Sequence, residues 1–385
     1  MIAESEAQVV EAVRAARAAG TPFEIVGGDT RRGFGRPTEP RELLDVSRLE
    51  GVVAYEPEEL ILTVRPGTAL AEIETLLAAK GQRLGFDPCD WSKMLGNRGT
   101  ATIGGAVSTD ACGSAAIRYG RARDHLLGIR AVNGFGEAFK AGGRVVKNVT
   151  GFDIPKLVCG AMGTLCVLTE LTFRVFPKPP EARCFALRGI APTRGLRVLK
   201  RAWSSPLDAT GLGYLPYPAV EHFPEIGNSG HGAAIFRIEG TQVALAEKSR
   251  ILRDIAPGVE ALDSDPFPRI GSGEIFAGTL LDITRAVLTP APRQPSPYGD
   301  DYEPPLKEED WSLWIADWAG QLIWRASTPG VTSGCATLLR ASAETRKRAH
   351  VFPPEEPARA ALTRAVKAAF DPLGLFNPGR MYKDV

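Results

Sequence analysis

The sequence has no C-x-x-C pair, no H-x-H and no H-E-x-x-H. Its six cysteines, Cys89, Cys112, Cys159, Cys166, Cys184 and Cys335, are dispersed, as are its four histidines, His125, His222, His231 and His350. Such spacing supports neither a zinc ribbon nor an iron–sulfur cluster set, so no metal is expected. No apolar run approaches the ~20 residues that a membrane-spanning helix needs. The opening MIAESEAQVVEAVRAARAAG is charged and amphipathic, without the apolar core of a signal peptide. Without an export signal, the cysteines read as buried free thiols rather than a disulfide framework. An excess of either charge is also missing. Lys+Arg 46 against Asp+Glu 45 leaves a formal net charge of +1, which excludes a general pull toward nucleic acid. The expectation is a cytoplasmic globular protein with no nucleic-acid partner.

Glycine and proline are plentiful instead, with Gly 41 and Pro 30 in 385 residues, a composition of tight turns and close backbone approaches. At ~100–200 residues per domain, two domains or three are expected. Residues 5–19 read as an amphipathic helix with Val9, Val10, Val13 and Ala16 on one face, stopped by Gly20. Strands follow at 22–26 and 60–64, and Thr68 is expected to cap a helix that carries Leu70, Ile73, Leu76 and Leu77. Asn133-Gly134 signals a hairpin between strands at 126–132 and 137–140. An alternating strand over 164–176 runs into Pro177-Lys178-Pro179-Pro180, a natural boundary. Further strands are expected at 232–239 and 311–326, the latter rich in tryptophan, with a helix after Pro357 carrying Leu362, Val366 and Phe370.

Three glycine-rich elements stand out. Gly27-Gly28-Asp29-Thr30-Arg31-Arg32 directly follows a strand, where backbone amides, the Thr30 hydroxyl and an arginine can converge on an anion. Thr100 to Gly113 mixes small residues and hydroxyls, as needed where a flat ring or a pyrophosphate lies against the main chain. Gly160-Ala161-Met162-Gly163-Thr164-Leu165 opens the long strand. Each alone also reads as a tight turn. The Rossmann fingerprint is absent, because Gly134-Phe135-Gly136 lies in a hairpin and lacks the third glycine. Any dinucleotide is therefore held by another architecture.

In their order these elements resemble the FAD-binding domain of the vanillyl-alcohol oxidase, or p-cresol methylhydroxylase, family. The marks are Gly27-Gly28-Asp29-Thr30, Val64-Arg65-Pro66-Gly67, Thr102-Ile103-Gly104-Gly105, Arg118-Tyr119-Gly120 and the run from Gly151-Phe152-Asp153 to Gly163-Thr164-Leu165. The ending Asn377-Pro378-Gly379-Arg380 is typical of the D-lactate and glycolate dehydrogenase branch. Val145 to Asp153, Asp317-Trp318-Ala319-Gly320 and the stretch from Phe370 to Tyr382 are similar to the E-subunit family of three-subunit bacterial glycolate oxidases.

The resemblance implies an α+β fold. A two-subdomain FAD-binding domain over 1–178 is followed by a smaller α+β cap over 181–345, with an exposed, mobile loop at about 290–305. A C-terminal helix and tail over 346–385 then pack back on the FAD domain. It implies noncovalent FAD held by Gly27, Gly28, Asp29, Thr30, Arg31, Pro66, Gly67, Thr102, Ile103, Gly104, Gly105, Ser108, Thr109, Gly113, Gly163, Thr164, Val167 and Asn377. Two departures are visible. Asp29 stands where relatives have a third glycine, and Cys166 replaces another glycine. Covalent flavin attachment in this family commonly uses a histidine, which the first loop lacks, or a cysteine, for which Cys89 and Cys112 are the candidates. Cys335 stands where relatives carry histidine, and no histidine cluster follows it. No catalytic residue is therefore assigned, and Arg237, Arg325, Arg340 and Arg380 remain equal candidates for a substrate carboxylate. The implied role is the FAD-binding subunit of a glycolate oxidase complex acting on a small 2-hydroxy acid. Its implied partners are a catalytic flavoprotein subunit and an iron–sulfur subunit, with peripheral attachment to the inner membrane face. The alternatives are a self-sufficient FAD-dependent 2-hydroxy-acid dehydrogenase and a flavin-free structural subunit, the latter motivated by Asp29 and Cys166. Residues 311–324, with their tryptophans, read either as core or as part of a partner surface.

Overall fold

The computed structural model describes residues 1–39, 42–144, 151–227, 230–287, 313–327 and 336–385. The expected loop at 290–305, Trp311, Cys335 and the stretch 145–150 lie outside the described residues. The chain divides into one unit made of Met1–Cys112, Gly120–Lys178 and Ser342–Val385, and a second made of Gly113–Tyr119 and Pro179–Ala341. Helices and antiparallel sheets occur in both, so the architecture is α+β.

The first unit opens with α1, Glu6–Ala19, where the Ser5 hydroxyl accepts the Gln8 amide at 3.3 Å and Gly20 leaves the helix at φ 62°. Val9, Val13 and Ala16 are buried, as the apolar spacing requires. Strand β1, Phe23–Val26, pairs in parallel with β2, Glu42–Asp45. Together with α1 these strands enclose a core of Phe23, Leu44, Val132, Val167 and Phe376. After β3, Val52–Glu56, and β4, Ile61–Val64, comes α2, Leu70–Ala78. Thr68 does not cap α2. Its hydroxyl donates to the Arg65 carbonyl at 2.7 Å and accepts the Gly51 amide at 2.9 Å, fastening two loops, and the helix starts beyond Ala69.

Helix α3, Ile103–Thr109, precedes the hairpin of β5, Leu126–Val132, and β6, Ala138–Gly142. Val132 pairs with Ala138, so the loop spans Asn133 to Glu137 rather than two residues. The Asn133 side chain accepts the amides of Phe135 and Glu137 and so closes that longer turn. The long strand β7 begins at Val167, not 164, and ends at Arg174, because the chain from Gly160 to Gly163 is still turning. Among the described residues, β3-β4-β7-β5-β6 form an antiparallel sheet in that order.

In the second unit, β8 (Glu181–Ile190), β9 (Gly211–Leu215), β10 (Gly232–Gly240), β11 (Glu260–Leu262), β12 (Asp282–Val287), β13 (Leu313–Asp317), β14 (Leu322–Ser327) and β15 (Thr337–Arg340) share one antiparallel sheet. Among the described residues its order is β11-β8-β10-β9-β13-β14-β12-β15. Helices α4, Pro192–Trp203, and α5, Gln242–Ile255, bury Leu196, Leu199, Leu245 and Leu252 against Phe185, Tyr214 and Phe236. The expected strand over 311–326 is a hairpin of β13 and β14 turned by Trp318–Gly320. Trp314, Trp318 and Trp324 are buried, with Trp314 beside Tyr214 and Trp324 stacked on Phe276. They are core aromatics and offer no partner surface.

Helix α6, Pro357–Phe370, belongs to the first unit. Of its expected apolar residues Leu362 is 65% exposed and Val366 and Phe370 are half-buried, while Lys367 is 6% exposed. Among the described residues, no helix is long and apolar enough to cross a membrane.

Candidate active-site groove

A groove in the first unit gathers chain segments that are remote in sequence. It is lined by the loop after β1 (Gly27, Gly28, Asp29, Thr30, Arg31 and Arg32), by Pro66 and by Thr102, Gly104, Gly105, Ser108 and Thr109 of α3 and its cap. Met162, Gly163, Cys166 and Leu168 add a further wall, and Asn377 and Arg380 reach it from the C-terminal tail. The groove is open to solvent. A second hollow, on the face of the five-stranded sheet, is lined by Glu6, Arg65, Arg130, Lys140, Arg144 and Glu170. There Arg130 and Arg144 are held by Glu6 and Glu56. It has the character of a solvated charged face.

Local chemistry explains the walls. The Gly28 backbone runs so close to Thr100 that a Cβ would sit 1.7 Å from its carbonyl oxygen, so no side chain is possible there. Asp29 has φ 59°, the left-handed region that glycine fills without cost and that aspartate tolerates better than most residues. The substitution therefore keeps the loop conformation. Thr102 caps α3 by accepting the Gly105 amide at 3.3 Å, and the α3 start is anchored by Gly104 N–H to Pro66 O at 2.8 Å. The other end of α3 carries the third wall, through Gly160 N–H to Val107 O at 2.9 Å and Met162 N–H to Ser108 O at 2.8 Å. Arg31 is buried. Its guanidinium donates to Thr109 Oγ1 at 3.2 Å and to the Cys89 carbonyl, and lies over the Trp91 ring. It therefore braces the groove from behind. Arg32 pairs with the buried Glu24 at 2.8 Å.

Of the residues expected from sequence, Gly27, Gly28, Asp29, Thr30, Arg31, Pro66, Thr102, Gly104, Gly105, Ser108, Thr109, Gly163 and Asn377 come together here. Gly67, Ile103, Thr164 and Val167 lie outside the lining. Gly67 is bonded to Leu49 O at 2.7 Å, Ile103 and Val167 are core, and the Thr164 hydroxyl closes on Ala161 O at 2.7 Å. Gly113 falls in the second unit, where its carbonyl accepts the Trp318 indole N–H at 3.1 Å. Glu24 and Leu168 were not expected, whereas Arg32 and Met162 belong to the glycine-rich elements singled out from sequence. Glu24 was legible only as an acidic residue in a strand that should be buried.

The other candidates are accounted for as well. Arg237 is bound to Asp265 and Thr210, Arg340 to the carbonyls of Phe276 and Thr279, and Arg325 donates to Thr284. Asp317 is fully buried, accepts the Ser114 hydroxyl at 2.6 Å and the Trp318 amide at 2.8 Å, and is pushed up to about 6 by that burial. Trp318 and Ala319 both take left-handed φ values at this corner, a strained geometry that the Asp317 contacts hold. His222, His231 and His350 are exposed, and His125 is buried. Among the described residues no three His, Cys, Asp or Glu side chains are grouped to hold a metal.

Residues 1–142 match the family model described as an FAD binding domain. The chain is 30% identical to glycolate oxidase subunit GlcE of Escherichia coli (strain K12), over 98% of this chain and 97% of that protein. It is 23% identical to the D-lactate dehydrogenase of Archaeoglobus fulgidus, over 93% of this chain and 85% of that one. Among solved structures, p-cresol methylhydroxylase with substrate bound matches with a TM-score of 0.73 over 100% of this chain and 88% of that one. At 13% identity this is a likeness of fold. The lining residues are of the kind that could hold a dinucleotide phosphate. The loop after β1 lines it with Gly27 and Gly28, α3 and its cap contribute the hydroxyls of Thr102 and Ser108, and Cys166 is a small buried thiol.

Proposed function

Since the chain belongs to the FAD-binding family of the glycolate oxidase E subunit, we propose that it is the FAD-binding subunit of a glycolate oxidase complex. It takes part in oxidising a small 2-hydroxy acid alongside a catalytic flavoprotein subunit and an iron–sulfur subunit. The observation that carries this reading is the extent of the likeness to GlcE, which runs through both units and the C-terminal tail rather than the FAD domain alone.

FAD supplies the two-electron redox chemistry when bound. The protein's part is to bind and orient it. The amides of Gly27 to Thr30 and the hydroxyls of Thr102 and Ser108 would receive the pyrophosphate, with Asn377 beside Gly163 on the opposite wall. Cys89 and Cys112, the candidate anchors, are not among the residues that line the groove, and the loop after β1 carries no histidine, which supports noncovalent FAD, released intact by acid precipitation. The reading in which flavin is lost has no support from Asp29 or Cys166, since both suit their positions.

The likeness to the D-lactate dehydrogenase over most of the chain favours a second reading, a self-sufficient dehydrogenase. One experiment separates them. The purified chain, loaded with FAD, receives glycolate or D-lactate without oxygen while the flavin absorption band is followed. A band that stays oxidised until partner subunits are added supports the subunit reading. Bleaching by the chain alone overturns it in favour of the dehydrogenase.

A further inference from the structure

The tail after α6 is held by polar contacts whose other ends lie on the groove. Arg380 is buried and fans across the loop after β1. Its guanidinium donates to Glu24 Oε1 at 3.1 Å, to Arg32 O at 2.9 Å and to Arg31 O at 3.4 Å. Its own carbonyl accepts the Arg36 amide at 2.8 Å. Asn377 bridges two walls with one side chain. Its Oδ1 accepts the Ile25 amide at 2.9 Å, and its Nδ2 donates to Met162 O at 2.8 Å and Gly163 O at 3.4 Å. Gly163 is the matching half of this contact, because a Cβ there would sit 2.8 Å from the Asn377 amide nitrogen.

Behind these two residues the tail is clamped by a buried pair. Lys367 Nζ donates to Asp371 at 2.8 Å, to Thr164 O at 2.6 Å and to Phe376 O at 3.0 Å. Asp371 in turn accepts the amides of Leu375 and Phe376. The backbone completes the seam, with Phe23 N–H to Leu375 O at 2.9 Å and Asn377 N–H to Phe23 O at 3.2 Å. A planar guanidinium and a carboxamide that each satisfy several fixed acceptors set loop geometry more strictly than apolar packing does.

We propose that the C-terminal tail is a latch, in which Asn377 and Arg380 are positioning residues that hold the Gly27–Thr30 loop and the Met162–Gly163 turn ready to receive the dinucleotide. This role presupposes that the groove is the FAD site. The latch must act before the ligand arrives, and that makes it separable from a direct contact with FAD.

The test uses the full chain and the variants Arg380→Met, Arg380→Lys and Asn377→Ala. FAD affinity is read from quenching of flavin fluorescence, and amide hydrogen exchange is followed in the FAD-free protein. Arg380→Met and Asn377→Ala are expected to weaken FAD binding at least tenfold. They are also expected to speed exchange at residues 24–32 and 162–164 while leaving β7 unchanged, and Arg380→Lys, which keeps the Glu24 pair, should recover part of both. Should Arg380→Met fail to fold, Arg380→Lys and Asn377→Ala decide by the same two readouts. Unchanged exchange in those loops overturns the latch whatever the affinity, and so does FAD affinity within twofold of the parent chain. Failure of the parent chain itself to bind FAD would instead sink the flavin site on which the latch depends.

Discussion

Helices α1 and α6 belong to the same unit, are each 14 residues long and carry apolar residues at helical spacing, yet they bury opposite kinds of side chain. Helix α1 turns Val9, Val13 and Ala16 into an apolar core shared with Phe23 and Leu44. Helix α6 leaves Leu362 in solvent and buries Lys367 against Asp371 and two main-chain carbonyls. What lies beneath each helix explains the contrast. Under α1 there are side chains from strands, for which hydrophobic burial decides. Under α6 there is a turning tail whose carbonyls need a donor, and an unsatisfied buried polar group costs more than an exposed leucine.

Three substitutions sharpen this contrast, in descending order of effect. Lys367→Met leaves Asp371 buried without its cation and should cost about 3–5 kcal/mol, read from the midpoint of urea unfolding. Val13→Ala removes apolar contacts from a fully buried site and should cost about 1–2 kcal/mol by the same measurement. Leu362→Ala, at an exposed position, should stay within about 0.5 kcal/mol. If Leu362→Ala cost as much as Val13→Ala, α6 would be an ordinary amphipathic helix and the contrast would be gone.

The same division describes what could be read in advance. The strand after α1, the alternation of β7 and the glycine elements are local patterns, and they led to the fold and to most of the groove. Thr68 was misleading because a hydroxyl at a helix start has two uses, and here it ties Arg65 to Gly51 instead of capping. Glu24, and with it the pairing of Arg32, escaped notice because an ion pair between a strand and the loop after it leaves no periodic trace. Gly67, Ile103 and Thr164 neighbour groove residues in sequence, yet they serve the turns that support the groove rather than its surface. Trp314, Trp318 and Trp324 could be read from composition either as core or as surface, and burial decides for core. Cys335 and the stretch 145–150 fall outside the described residues, so their expected roles rest on sequence alone.

The central claim is that the groove between the Gly27–Thr30 loop and α3 is where FAD binds. Gly105 offers the most direct test. A Cβ there meets Thr102 Oγ1 at 3.4 Å and the Arg31 side chain at 3.7 Å, ordinary contacts with two residues that line the groove, so a larger side chain is expected to occupy it. Leucine also suits a helix better than glycine. Titrating the Gly105→Leu chain with FAD, with a thermal melt of the same sample, should show a folded protein of parent-like stability that no longer quenches flavin fluorescence. A folded Gly105→Leu chain that binds FAD as tightly as the parent would contradict the account and place the cofactor elsewhere.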